Sequence, residues 1–176
     1  MYANAARTPF VFKDFYERLL RMKPKKKRFP SRIYRDSWDL DTAFYKWLLP
    51  RLKCYREYAN GYPEGWYNSF EDFIADIDEK IVWVDFLYRC RSSRKDTKIT
   101  KEEIDALFDE ERNDKYYQGD WRHWLNREPI HVKCGDYEKI YDKDESDYIW
   151  KQEILEAVLS SAFGEWFGKV HTTLWW

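Results

Sequence analysis

Glycine is scarce in this chain: there are 6 among 176 residues, and they never cluster. That excludes a Gly-rich loop whose backbone N–H groups cradle a nucleotide's phosphates. Cysteine is scarcer still. Cys54, Cys90 and Cys134 are odd in number, far apart and never form a C-x-x-C pair. Such spacing suits free thiols in a reducing compartment. Cys134, His131 and His123 lie near one another, but a structural zinc site wants four ligands. Cys54 and Cys90 would have to reach it from separate helices, so buried, inert thiols are expected. Histidine numbers only 3. His171-Thr172-Thr173-Leu174 has the H-x-T-apolar form of a two-histidine phosphoesterase. That chemistry needs one histidine to accept a proton and another to donate it. His123 and His131 are followed by Trp124-Leu125 and Val132-Lys133, so no second motif exists. Nucleophile elbows are absent as well. No apolar run approaches the roughly 18 residues that span a bilayer, and no charged-then-apolar signal pattern opens the chain. The expectation is a soluble, cytoplasmic protein without a catalytic set and without a cofactor.

What is present in excess is aromatic surface. Trp, Tyr and Phe number 10, 14 and 11, or 20% of the chain. Rings of this kind fill cores, and Trp and Tyr also anchor interaction hot spots. The charge is uneven. Residues 1–35 hold 11 Lys/Arg against 2 Asp/Glu, and the remainder holds 20 against 30, for a total of -1. The basic end is suited to an anion or to the chain's own acidic part. Lys25, Lys26, Lys27, Arg28 and Arg32 form a basic patch in a Pro-punctuated connector over 23–36. It reads as a solvated loop, with import-signal and nucleic-acid readings as rivals.

Periodicity predicts a mainly all-α, single-domain bundle over 1–176, with 1–36 as a basic N-terminal helix and connector. The strongest stripe runs over 146–167, where Ile149, Trp150, Ile154, Leu155, Val158, Leu159, Ala162, Phe163, Trp166 and Phe167 recur in steps of three and four. Ser146 or Asp147 is the expected N-cap, and Gly164 and Gly168 the expected weakening and stop. A first helix is expected over 8–22. A second, capped by Asp41, is expected to 59 with Phe44, Trp47, Leu48, Leu52, Tyr55 and Tyr58 on one side. Pro50 should kink it, since its missing N–H orphans the Lys46 carbonyl. Ser69 and Asp72 resemble a capping pair for a third helix ending near Arg91, with Phe70, Phe73, Ile74, Ile77, Ile81, Val84 and Tyr88 as its stripe. Thr100 and Glu103 form a capping box for a shorter helix, and Gly119 closes that region. Asp120 starts one turn holding Trp121 and Trp124. Alternation at Ile130, Val132 and Cys134, a Gly135-Asp136 turn, then Tyr137 and Ile140 predict a small hairpin near 130–141.

Asp142, Asp144, Ser146 and Glu153 occupy positions 1, 3, 5 and 12 of a calcium-loop pattern. Asp147 stands where that loop requires glycine, so an acidic helix N-terminus is the competing reading. Trp121-Arg122-His123-Trp124 could stack a base and pair a phosphate. Off the core stripes, in turns or at the terminus, lie Tyr62, Trp66, Tyr67, Trp121, Arg122, Trp124, Trp175 and Trp176. They are the candidate binding residues, with capping of the bundle's ends as the alternative.

Two segments carry a resemblance. One is Trp47-Leu-Leu-Pro-Arg-Leu-Lys53 followed by Gly61-Tyr-Pro-Glu-Gly65. The other is Phe163-Gly-Glu-Trp-Phe-Gly-Lys169 followed by Leu174-Trp-Trp176. Together they resemble a set of uncharacterised tailed-bacteriophage proteins, with a kinked W-x-x-P-R-L-type helix, a Gly-Tyr-Pro turn and an F-G-K helix with a Leu-Trp tail. The stretch between Arg91 and Asp144 lies outside the resemblance. It implies a phage origin and the cytoplasm of an infected bacterium, but transfers no catalytic residue. The expected function is a non-enzymatic counter-defence protein that binds and blocks a host protein. The alternative is a sponge that sequesters a nucleotide immune signal in an Arg–aromatic pocket. Neither nucleic acid nor membrane is expected as a partner.

Overall fold

Two long helices organise the core, α2 (Phe70–Arg91) and α6 (Lys143–Val170), and α1 (Leu40–Tyr58) packs against α2. The computed structural model describes residues 40–92 and 98–171. All of them belong to one compact unit, Asp39–Trp176. The expected helix over 8–22, the basic patch from Lys25 to Arg32, and Trp175 and Trp176 lie outside the described residues.

Ser69 is extended, and its hydroxyl accepts the Asp72 N–H at 3.0 Å, which opens α2. The helix is buried more broadly than one stripe. Phe73, Ile77 and Val84 are in the core as expected, but so are Trp83, Phe86 and Leu87. The reason is that α1 and α6 both pack against α2, so more than one of its faces is covered. Leu48 and Leu52 of α1 and Leu155, Leu159, Ala162 and Phe163 of α6 complete this core.

α1 begins at Leu40, so Asp41 lies in its first turn rather than capping it. The helix continues through Pro50. Arg51 lies 4.2 Å over the Trp47 ring and donates to the Trp47 carbonyl at 2.7 Å. That side-chain bond supports the turn the proline weakens.

α6 starts earlier and ends later than its apolar stripe. Asp142 is the N-cap and accepts the Glu145 N–H at 2.7 Å. Ser146 sits one turn inside, buried, because its hydroxyl accepts the Ile130 N–H at 2.9 Å. Gly164 and Gly168 do not stop the helix. Both are exposed, and each costs only about 1 kcal/mol relative to alanine.

Three short helices lie between: α3 (Lys101–Leu107), α4 (Glu110–Tyr116) and α5 (Trp121–Leu125). The Thr100/Glu103 capping box is complete, with bonds of 3.2 and 2.8 Å. Asp109 caps α4 anew, so the region expected to hold one helix before Gly119 holds two. Asp120 caps α5 by accepting the N–H groups of Arg122 and His123. β1 (His131–Cys134) and β2 (Tyr137–Ile140) then form an antiparallel hairpin pairing Cys134 with Tyr137 and His131 with Ile140. Gly135 turns it at φ 58, a conformation that glycine adopts without strain. No helix among the described residues is long and apolar enough to cross a membrane.

Candidate functional site

The candidate binding aromatics scatter into three environments. Trp121 belongs to the core, at 4% exposure, packed with Ile154 and Val158 of α6. Its place in a short segment misleads, because α5 packs against α6. Its indole N–H donates to Asp114 at 2.7 Å. Arg122 covers the Trp121 ring at 4.2 Å and donates to both oxygens of Asp114, at 2.6 and 3.1 Å, and to Glu110 at 3.3 Å. Arg122 above all, then Trp121, holds the Asp114 carboxyl below its usual range. A guanidinium so occupied is not available to a phosphate, and no base can stack on a buried indole. The pocket expected at 121–124 is therefore not formed.

Trp124 points elsewhere. It packs on Trp150 with ring centroids 4.8 Å apart, and Arg127 lies 3.6 Å over its ring. Arg127 also meets the His123 ring nitrogen at 3.4 Å. Among the described residues no carboxylate pairs with Arg127, unlike Arg56, Arg89, Arg91, Arg112 and Arg122.

Tyr67 ties the aromatic turn to the core, and Tyr62 is half-buried. The Tyr67 hydroxyl donates to Asp76 Oδ2 at 2.5 Å, and the Trp166 indole N–H reaches the same oxygen at 2.5 Å. Lys80, only 5% exposed, donates to Asp76 Oδ1 at 2.8 Å and lies 3.9 Å over the Trp83 ring. Its second partner, Glu79, also meets Arg112, which covers the same indole at 5.0 Å. Burial first, and the Asp76 acceptor second, push the Tyr67 phenol above the ordinary tyrosine value. A tyrosine held protonated in this way acts as a clamp, not as a base. The turn that begins at Gly61 leads into Tyr67, and the last long helix supplies Trp166. Sequence reading did not find this cluster. The available signal was Asp76 and Lys80, an i,i+4 ion pair lying among the buried positions of α2.

The thiols split. Cys90 is half-buried, and desolvation above all pushes it up to about 12, so it stays protonated and inert at neutral pH. Cys54 and Cys134 are exposed, contrary to the expectation of burial, because they sit on the outer side of α1 and on the hairpin. The calcium pattern fails on geometry. Asp144, Ser146 and Glu153 lie on one continuous helix, which puts Asp144 and Glu153 about 13 Å apart along its axis. Asp142 is engaged as the N-cap and Ser146 with Ile130, so the four do not ring an ion. Among the described residues no cluster of His, Cys, Asp or Glu has metal-holding geometry.

The hairpin is a further exposed surface. All eight of its strand residues are exposed. Val132, Tyr137 and Ile140 stand 39%, 58% and 66% open. Alternation puts Val132, Cys134, Tyr137 and Lys139 on one face, and His131, Lys133, Glu138 and Ile140 on the other. The Tyr141 N–H donates to the Ile130 carbonyl at 2.9 Å, closing the base of the hairpin, and the Ile130 N–H donates to the Ser146 hydroxyl, which roots it on α6. Trp66, at 54%, is the most exposed of the described indoles that were candidates. Comparison of the chain with protein-family models, with curated proteins and with solved structures finds no match to any of them.

Proposed function

We propose that the chain is a phage-encoded binding protein of counter-defence type, which blocks a host protein by direct contact in the infected bacterial cytoplasm. The observation that carries this reading is the bare hairpin. A two-stranded sheet alone is marginally stable in water. This one contributes no buried residue to the fold, yet displays a valine, a tyrosine and an isoleucine. Open strand edges and exposed apolar side chains are what a partner's strand or apolar surface recognises. The resemblance to tailed-phage proteins supplies the setting.

The test is capture from host lysate by immobilised wild-type chain and by the triple variant Val132→Lys, Tyr137→Ser, Ile140→Lys. One stoichiometric host protein held by the wild type and lost by the variant supports the proposal. Equal capture by both removes the hairpin from the interface. Arg127, stacked on an indole and without a carboxylate partner among the described residues, favours sequestration of a nucleotide signal as the second reading. A thermal shift with cyclic nucleotides and ADP-ribose-type compounds, abolished by Arg127→Gln, would select it over the first.

A further inference from the structure

The phase of the hairpin's ladder fixes which backbone groups stand open. The Tyr141 N–H bonds to the Ile130 carbonyl, and the register pairs His131 with Ile140, Val132 with Lys139, Lys133 with Glu138 and Cys134 with Tyr137. Hydrogen-bonded and non-hydrogen-bonded pairs alternate along an antiparallel ladder. The pairs that bond across the hairpin are therefore Ile130/Tyr141, Val132/Lys139 and Cys134/Tyr137. The N–H and C=O groups of His131 and Lys133 point outward from β1, and those of Glu138 and Ile140 point outward from β2. Among the described residues nothing bonds to these outward groups.

The two edges differ in charge. On β2, the Glu138 carboxylate meets the His131 ring nitrogen at 2.6 Å. On β1, Lys133 lies opposite Glu138 in the register, but it makes no ion pair among the described residues. Val132 and Cys134 project to the other face, beside Tyr137. β1 thus combines an open strand edge with a free ammonium on one face and an apolar strip on the other. A lysine on such an edge repels a basic strand and leaves an acidic one favoured.

We propose that β1 takes up an extended segment of the partner by strand addition, and that this segment reads apolar–acidic–apolar. Its carboxylate lies opposite Lys133, and the apolar residues on either side lie opposite Val132 and Cys134. The outward groups of His131 and Lys133 supply the backbone hydrogen bonds. This rests on the hairpin as the docking surface, and adds which edge is used and what the partner carries there.

The experiment is an NMR titration of the full chain with the capped peptide Thr-Val-Glu-Val-Thr and its charge-reversed form Thr-Val-Lys-Val-Thr. At millimolar concentrations the Glu peptide should shift the His131 and Lys133 amides saturably. Those shifts should exceed the ones at Val132 and Cys134, whose N–H groups already bond to β2. The Lys peptide should bind about threefold more weakly, and Lys133→Glu should reverse the order. Lys133 is exposed, so circular dichroism should report unchanged folding. No response to either peptide, equal affinity for both, or a response at Glu138 and Ile140 in place of His131 and Lys133 overturns the proposal. So does a shift of the β1 amides with protein concentration alone, which would assign the edge to a second copy of this chain. No host protein enters the titration, so a failed capture from lysate leaves its outcome intact. Capture that persists without any peptide response removes the strand pairing and keeps the docking surface.

Discussion

α2 and the hairpin draw on the same apolar alphabet and use it in opposite ways. Ile77 and Val84 are wholly buried in α2, while Ile140 and Val132 stand open on the hairpin. The difference is whether a second layer exists to receive them. α1 and α6 both pack on α2; among the described residues the hairpin's strands pair only with each other, and Ser146 holds it at its root. Side-chain chemistry sets what burial is worth, and architecture decides whether it happens. The contrast predicts that stability resides in one region and recognition in the other.

The largest effect should come from Leu155→Ala. Leu155 is fully buried where α6 meets the core, and truncation should cost about 3 kcal/mol in urea unfolding. A loss no greater than that of a surface change would erase the distinction between the two regions. Next is Asp76→Asn, which leaves the nearly buried Lys80 with Glu79 alone; about 2 kcal/mol is expected. Trp166→Phe keeps an aromatic ring, though a smaller one, and removes the donation to Asp76, so at least about 1 kcal/mol should be lost. A pH series sharpens the picture further. Arg89, then the Thr100 backbone N–H, hold the Glu103 carboxyl below its ordinary 4.5. A depressed carboxylate stabilises the fold above that value, and the contribution fades as pH falls through the native pKa. Glu103→Gln should therefore be less stable than wild type at neutral pH, with the gap closing in acid. Smallest of all should be the stability change in the hairpin triple variant, within about 0.5 kcal/mol, although capture is lost. A hairpin variant that unfolds the chain would assign these strands to the core.

Much of the architecture was legible because it is local. Caps at Ser69, Thr100 and Asp120, and the Gly135-Asp136 turn, depend on neighbours a few residues away. What escaped depends on contacts across the chain. Ser146 has a cap's chemistry but gives its hydroxyl to Ile130, 16 residues earlier in sequence. Trp121 opens the short α5 and is packed against Ile154 and Val158 of α6. Trp83 and Phe86 fall outside a one-sided stripe, and only the arrival of two packing helices explains them. The candidate surface was half legible. The hairpin was expected as an element, but its exposed residues were not among those chosen, because apolar alternation implies one covered face, whereas all eight strand residues are exposed.

One hydroxyl has a mechanical consequence. The strands are anchored at Ile130, and Ile130 is pinned by Ser146 to the opening turn of a 28-residue rod. The arm is thus a lever whose fulcrum is a serine oxygen. A load applied at the Gly135 tip arrives first at the start of α6, ahead of any contact in the bundle, and amide exchange there is where its engagement becomes audible.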